Sequence, residues 1–284
     1  MERFVSFHDF NISHSIDYKE KVYNCHSHDE IEIYIHINGG KHYFLDDVIY
    51  DIKEKDVMIF GSNQIHQIIK NHSEKYERYI ILYKKEFLMS LGADYIEINN
   101  LISDIMKNKE NILTLDDKSF KTLIKMLKNY SEEREIGVNL HKLSKFLEII
   151  IFILEQYKKG RKKGIMKERY ISNDTVKRII DKINSNYKDS GFTVSTLSEM
   201  MHLNKCYMCE VFKKNTGITI LKYINQKKIL DAKAMLIQGE NIVNCADKLG
   251  FGSYNDFIRV FKKLTGDSPK KYISKVSKKL NNSD

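Results

Sequence analysis

The chain has 284 residues and a formal net charge of +9, but its two parts differ in sign. From Arg161 to the C-terminus there are 25 Lys and Arg against 12 Asp and Glu, whereas residues 1–160 have 22 against 26. The basic part predicts a polyanionic partner, for which nucleic acid is the first candidate. An apolar content of 42% excludes general disorder, and the short apolar runs predict neither a signal peptide nor a membrane span. We therefore expect a cytoplasmic protein without a membrane partner.

The first hundred residues are predicted to form short strands. From Ile31 to Ile37 isoleucines alternate with polar residues such as Glu32 and His36, so the two sets should lie on opposite faces of one strand. Asn38-Gly39 favours a hairpin turn into the next strand, because both residues tolerate positive φ. Many short strands separated by turns indicate an antiparallel sandwich or barrel. The other strand-like segments are 41–44, 47–52, 56–60, 67–70 and 79–83.

Beyond Phe87 the apolar period becomes helical, and one helix is predicted over 140–156. One apolar stripe contains Leu140, Leu143, Leu147 and Ile151, and a second adds Phe146, Ile150 and Leu154. A helix that is apolar on two sides is either buried within its own domain or paired with a second copy in a homodimer. After this helix, a run rich in lysine and glycine predicts a basic linker over 158–173.

Four cysteines in a chain of this length do not indicate a disulfide framework. Cys206 and Cys209 form a CxxC pair, but the sequence has no second Cys or His pair at zinc-site spacing. We expect reduced thiols without a bound metal at these positions.

A seven-residue segment of the basic part occurs twice. Val211–Gly217 reads Val-Phe-Lys-Lys-Asn-Thr-Gly, and 49 residues later Val260–Gly266 reads Val-Phe-Lys-Lys-Leu-Thr-Gly. At the same offset Tyr223 matches Tyr272. A match of this length is improbable by chance, so this part is predicted to contain two copies of one supersecondary unit.

Each copy has the pattern of a helix-turn-helix, over about 194–214 in the first and 242–263 in the second. In the second copy two short amphipathic helices flank Gly250, whereas in the first His202 stands where the turn glycine is expected. A connector helix of roughly 17 residues, about 26 Å long, would hold the two units about one DNA turn apart. Its apolar stripe is predicted to contain Leu221, Ile224, Ala232, Met235 and Leu236.

The second helix of each copy has a polar face that could enter a major groove. Arg and Asn suit the edges of guanine and adenine, while Lys and Ser favour phosphates. One amphipathic pair alone is more simply explained as a solvated face, but two matched copies in a basic domain favour DNA binding. The predicted DNA-binding residues are Lys205, Cys206, Cys209, Glu210 and Lys213 in the first copy and Ser253, Tyr254, Asn255, Arg259 and Lys262 in the second.

The stretch from about Asp174 to Ile273 resembles the DNA-binding domain of the AraC/XylS family of bacterial transcription regulators. The resemblance rests on the two Phe-Lys-Lys-x-Thr-Gly segments, on Ala246–Phe251 and on Gly266–Tyr272, which contains the one proline of the chain. It implies two helix-turn-helix units joined by a long helix and binding to double-stranded promoter DNA. RNA polymerase is a further expected partner, and activation and repression both stay open.

The sequence departs from this family in two places. Lys228 stands in the connector where the family usually has arginine, so the planar donor fork is lost and any internal ion pair should be weaker. Cys206, Cys209 and Glu210 occupy recognition positions that often carry polar or basic residues. We therefore expect the second unit to read bases more strongly than the first.

The N-terminal part is similar to the cupins. His26-Ser27-His28-Asp29-Glu30-Ile31-Glu32, followed after six residues by Gly39, looks like the first cupin motif, and His66 lies near the place of the second. The resemblance implies a small β-barrel sensor, as in many AraC-like regulators. The ligands of metal-binding cupins carry over to His26, His28, Glu32 and His66, a set that suits Zn²⁺, Fe²⁺, Mn²⁺ or Ni²⁺. The same face could instead line a pocket for an unknown small-molecule effector, with the additional residues Tyr34, His36 and Tyr43.

The predicted fold is α+β with two domains. A cupin-like antiparallel β-barrel with following helices covers 1–157, and an all-α domain of two helix-turn-helix units joined by a long helix covers 174–276, with a tail over 277–284. The predicted function is a sequence-specific transcription regulator, not an enzyme, whose N-terminal domain senses a small molecule and modulates promoter binding. The alternatives are a metal-dependent cupin enzyme tethered to DNA, which requires an open coordination position, and a nonspecific scaffold without sequence preference.

Overall fold

The computed structural model describes residues 9–18, 26–40, 42–69, 75–92, 95–130, 136–163 and 173–281. Cys25, Lys41, Lys70, linker residues 164–172 and tail residues 282–284 lie outside the described residues. The strands of the described chain are β1 (Phe10–Asp17), β2 (Ile31–Asn38), β3 (His42–Leu45), β4 (Val48–Asp51), β5 (Asp56–Phe60), β6 (His66–Ile69), β7 (Tyr76–Tyr83) and β8 (Ile112–Thr114). Its helices are α1 (Lys85–Met89), α2 (Tyr95–Lys107), α3 (Asp117–Tyr130), α4 (Val138–Lys162), α5 (Asp174–Asn186), α6 (Val194–Met201), α7 (Lys205–Thr216), α8 (Ile220–Ile237), α9 (Ile242–Lys248), α10 (Tyr254–Thr265) and α11 (Pro269–Asn281).

The N-terminal strands form two antiparallel sheets. One has the order β1-β7-β2-β5-β8 and the other the order β4-β3-β6. A buried cluster that contains Tyr34 and Phe60 of the first sheet and Tyr43 and Ile68 of the second lies between them. The two sheets together are called the barrel below. The six predicted strand segments are confirmed, β1 and β8 are additional, and the predicted α+β fold class is confirmed.

Asn38-Gly39 does not close a hairpin, contrary to the prediction. β2 pairs with β5 and β7, whereas β3 pairs with β4 and β6 in the other sheet. Gly39 has the expected positive φ of 76°, and a Cβ at this position would lie 2.1 Å from the backbone oxygen of Lys75. The turn therefore takes the chain from one sheet to the other at a close backbone approach.

Helices α3 and α4 cover the outer face of the five-stranded sheet. Ile31, Ile33 and Ile35 of β2 are buried in one cluster with Phe146 and Ile150 of α4. Tyr157 donates a hydrogen bond to the Val57 backbone oxygen at 2.8 Å. Because α4 continues to Lys162, residues 158–162 belong to this helix and not to a linker.

The C-terminal helices form two units that share α8. The first unit packs around Leu197, Met208 and Phe212, and the second around Phe257 and Phe261. Helix α8 has 18 residues and is therefore about 27 Å long, close to the prediction.

Two details of the helical domain differ from the prediction. Leu221 of α8 is 58% exposed and does not belong to the apolar stripe, whereas Ile224, Ala232 and Leu236 are buried. Helix α11 begins at Pro269, where a fixed φ suits the first helical turn, and it continues through the first residues of the predicted tail. None of the helices in the described part of the chain is long and apolar enough to cross a bilayer.

The N-terminal domain packs directly against the first helix-turn-helix unit. Phe44, Ile49 and Ile65 share one buried cluster with the helices of that unit. The Tyr223 hydroxyl on α8 donates a hydrogen bond to the backbone oxygen of Asp46 at 2.9 Å. Apolar burial and directed hydrogen bonds thus fix the barrel against the DNA-binding part.

Candidate nucleic-acid interface and histidine site

The two helix-turn-helix units are built alike at their turns. His202 ends α6 with a φ of 51°, and Gly250 follows α9 with a φ of 61°. Asn204 and Ser253 then cap α7 and α10, and their side-chain oxygens accept hydrogen bonds from backbone N–H groups of the first turn. The matching turns and caps confirm the predicted pair of units. The second helix of each unit, α7 or α10, is called its recognition helix below.

Nine of the ten predicted DNA-binding residues are exposed. Cys209 is the exception, because it is half-buried and packs against the cluster of the first unit. The two exposed faces are therefore accessible to a duplex. Cys209 fits a packing role better than a base contact.

Charged side chains on the recognition helices are held in defined orientations. Arg259 Nη2 donates to Asp256 Oδ1 at 3.0 Å, and this hydrogen bond lowers the pKa of Asp256. In the first unit Lys205 Nζ donates to Ser195 Oγ at 2.8 Å. The Arg259 side chain remains 68% exposed, so its guanidinium keeps donors free for an acceptor outside the protein.

In the barrel, the four predicted metal ligands come together. The backbones of His26 and His66 form an isolated antiparallel bridge, and His28 and Glu32 extend the group. One ligand atom from each residue can be chosen so that all four lie within 4.8 Å of one another. His26 is exposed, His28 is half-buried, and Glu32 and His66 are buried. The group formed by His26, His28, Glu32 and His66, called the histidine site below, therefore lies at the barrel surface with its carboxylate inside.

The imidazoles of this site are oriented by the backbone. Nδ1 of His28 lies 3.1 Å from the Glu30 oxygen and Nδ1 of His66 lies 2.9 Å from the Gln64 oxygen. A carbonyl accepts only from N–H, so this assigns the hydrogen to Nδ1 in both rings and leaves Nε2 facing Glu32. Backbone carbonyls orient metal-bound histidines in this way.

The Glu32 carboxylate lies between the two imidazole Nε2 atoms that face the interior of the site. Nε2 of His28 and of His66 lie 2.9 and 3.3 Å from Glu32 Oε2. Nε2 of His66 is buried and has no hydrogen bond of good geometry among the described residues. Burial would raise the pKa of Glu32, but the hydrogen bond with His28 and the charge interactions with both histidines outweigh it and lower the pKa to about 2. A carboxylate and three imidazoles in this arrangement fit a divalent ion.

The other predicted pocket residues lie behind this site and contact one another. The Tyr34 hydroxyl lies 2.8 Å from His36 Nδ1 and 3.0 Å from the Tyr76 hydroxyl. Tyr43 packs on Tyr34 with ring centroids 5.0 Å apart. These three predicted pocket residues are buried, and they share hydrogen bonds and ring contacts within the barrel. A ligand-binding role for Tyr34, His36 and Tyr43 stays a prediction.

Comparison with known families gives two matches that follow the two domains. Residues 197–275 match a family described as a helix-turn-helix domain. Residues 13–150 match a family described as the AraC-like ligand binding domain. The chain is an AraC-family transcription regulator.

Relatives of this regulator extend over one or both domains. The HTH-type transcriptional activator RhaR of Mannheimia succiniciproducens is 24% identical over 255 residues, which cover 89% of this chain and 88% of that protein. The transcriptional regulatory protein HptR of Staphylococcus aureus is 35% identical over 101 residues, or 36% of this chain and 40% of that protein. Among solved structures, unsaturated fatty acid-bound ToxT of Vibrio cholerae is 18% identical with a TM-score of 0.39, covering 96% of this chain and 97% of that chain.

The contacts between the two domains of this regulator are absent from the sequence prediction. Lys233 Nζ donates to Asp29 Oδ1 at 3.0 Å and to Asn63 Oδ1 at 3.2 Å. Gln67 Nε2 donates to the backbone oxygen of Gly217 at 3.0 Å. The one local signal is the position of Lys233, a charged residue next to the buried Ala232.

Lys228, where a weaker internal ion pair was expected, makes a hydrogen bond to a backbone oxygen. Its Nζ donates to the backbone oxygen of Gly250 at 2.7 Å and lies 5.0 Å from the centroid of the Phe251 ring. Burial lowers its pKa. The lysine thus holds the connector helix on the turn of the second unit.

Proposed function

We propose that the two recognition helices lie in successive major grooves of promoter DNA. The observation that carries this proposal is the matched pair of exposed, capped helices on one connector about 27 Å long, compared with about 34 Å for a DNA turn. Arg259 and Asn255 would contact base edges, and Lys205, Lys213 and Lys262 would contact phosphates. The second unit then supplies more of the sequence preference than the first.

The test compares promoter DNA with random DNA of equal length at about 150 mM salt. Bound promoters are first identified by a genome-wide footprint. We expect tighter binding to those promoters than to random DNA. Equal affinity for both would exclude sequence-specific regulation and would favour a nonspecific scaffold.

We further propose that the histidine site binds a divalent metal ion. Nε2 of His66 is buried, makes no hydrogen bond of good geometry among the described residues and lies 3.3 Å from the Glu32 carboxylate, which supports a metal over an uncharged effector. With four protein ligands a tetrahedral zinc ion would have no open position, which favours a structural or sensory role over a catalytic one. Elemental analysis of protein purified without chelator tests this. Protein without metal that binds an organic effector at these residues would favour the small-molecule pocket.

Self-association and partner contacts complete the proposal. Leu140 and Ile151 of α4 are 72% and 50% exposed, and an apolar stripe of this kind supports a homodimer.

The name of the RhaR relative describes that protein as an activator. We propose that this regulator also activates transcription in the cytoplasm through contact with RNA polymerase. A reporter fused to a bound promoter should lose expression when the gene is deleted.

A further inference from the structure

We propose that a divalent ion at the histidine site is the signal that controls DNA binding, and that Asp29 and Gln67 transmit it to the DNA-binding domain. This inference rests on the metal site proposed above. Both transmitting residues are direct neighbours in sequence of proposed ligands, since Asp29 follows His28 and Gln67 follows His66. Neither is itself a member of the ligand group.

The first contact reaches the connector helix. Asp29 Oδ1 and Asn63 Oδ1 both accept hydrogen bonds from Lys233 Nζ. Lys233 is only 9% exposed, so its charge is largely shielded from water; these two oxygens accept its hydrogen bonds, and its Nζ lies 5.7 Å from the centroid of the Tyr272 ring. It lies beside Ala232, in the half of α8 that packs against the second helix-turn-helix unit. Asp29 thus links the metal site to the second unit.

The second contact reaches the recognition helix of the first unit. The amide of Gln67 is 3.0 Å from the backbone oxygen of Gly217, which caps the C-terminal end of α7. Gly217 has a φ of 75°, and a Cβ there would lie 2.6 Å from Gln67 Nε2. The close approach leaves little freedom between strand β6 and helix α7. Gln67 thus links the metal site to the first unit.

An ion shared by the histidine site would act on both contacts at once. Its ligands come from three places, namely residues 26–28, β2 and β6. The exposed His26 is held by backbone hydrogen bonds to His66, so a shared ion would add a further link between these segments. An ion that fixes residues 26–28 and β6 also fixes the neighbouring Asp29 and Gln67, which hold the two helix-turn-helix units against the N-terminal domain. The recognition faces stay exposed in this arrangement, so metal binding should preorganise the units and strengthen DNA binding.

The experiment uses the full chain, stripped of metal with EDTA and then titrated with ZnCl₂, and a promoter fragment from its own binding sites. We expect zinc to raise promoter affinity by about fivefold or more. Asp29→Asn removes the carboxylate that pairs with Lys233, but leaves every ligand and every basic residue in place. In this variant zinc should still bind, while the gain in affinity falls below about twofold. Asp117→Asn is the matched control, because Asp117 pairs with Lys55 within the N-terminal domain.

Amide hydrogen exchange supplies a readout that is independent of DNA. Zinc should slow exchange in α8 around Lys233 in the unmodified protein and in Asp117→Asn, but not in Asp29→Asn. His26→Ala removes an exposed ligand without disturbing the core. Three ligands remain, so zinc binding should weaken and both responses should move to higher zinc concentrations.

The outcomes separate this inference from the proposals beneath it. Bound zinc with unchanged promoter affinity, an equal gain in Asp29→Asn, or weaker DNA binding with zinc would overturn the inference alone. Absence of bound zinc would overturn the metal site and the inference together. A lack of promoter preference would overturn sequence-specific DNA binding itself.

Discussion

Arg259 is the side chain whose removal distinguishes base reading from phosphate binding. It is 68% exposed on α10, and its contact with Asp256 orients the guanidinium on the helix surface. Arg259→Ala should weaken binding to promoter DNA by roughly 1–3 kcal/mol and broaden base preference at one position. Lys262→Ala, the control on the same helix, should weaken promoter and random DNA alike and reduce the salt dependence. Fluorescence anisotropy on both DNAs measures the two effects, and equal losses for Arg259→Ala would assign it to a phosphate.

His36 makes the stability of the barrel depend on pH. Burial lowers the pKa of His36 to about 4, whereas an exposed histidine titrates near about 6.5. Between these values the unfolded chain binds a proton that the folded chain does not, so folding is favoured above about pH 6.5 and loses this contribution on acidification. The loss should be about 2–3 kcal/mol from pH 7 to pH 4. Urea unfolding at several pH values should show a smaller loss in His36→Gln, and identical pH profiles would contradict the prediction.

The turns of the two units have the same left-handed backbone conformation, which is adopted by His202 in the first unit and by Gly250 in the second. Gly250→Ala would place a Cβ 2.3 Å from the Lys188 backbone oxygen in a left-handed conformation, so it should destabilise the protein by about 1–3 kcal/mol or more. His202→Gly is the matched change at the other turn, where strain relief and lost chain stiffness oppose each other, and it should alter stability by less than about 1 kcal/mol. Urea midpoints measure both variants. A larger effect at His202 would contradict this account.

Elements were predictable where a local pattern was itself decisive. Strand β2 has an alternating apolar pattern and strand β5 has a continuous apolar run, and both are found where the sequence predicts them. Strand β1 is a half-exposed edge strand and β8 has only three residues, so neither carries a strong local pattern. Helix α4 extends past the predicted boundary because Tyr157 and Gly160 are buried against the rest of the domain. The lysine-rich sequence around them gives no sign of this burial.

At the scale of the whole molecule, the residues of the histidine site could be predicted from the sequence, but their contacts with the DNA-binding domain could not. The four proposed ligands follow from a motif, and the structure brings them within 4.8 Å of one another. The interdomain pairs are 204 residues apart for Asp29 and Lys233 and 150 apart for Gln67 and Gly217, and no local pattern relates them. They arise because Phe44, Ile49 and Ile65 dock the barrel on the first unit. Tertiary packing, rather than any motif, therefore determines which polar residues become neighbours.

Helix α4 has one apolar face that is buried in the N-terminal domain and another that is exposed, so folding and self-association can be tested by different substitutions. Ile150 is completely buried against the sheet, whereas its neighbour Ile151 is 50% exposed and Leu140 is 72% exposed. Ile151→Asp should reduce the dimer fraction in light scattering and leave thermal stability nearly unchanged, because the charge lies in water. Ile150→Asp should unfold the N-terminal domain, since a buried unpaired carboxylate costs several kcal/mol. If Ile151→Asp and Leu140→Asp both left the molar mass unchanged, the exposed stripe would not be a dimer interface, and dimerisation through α4 would be wrong.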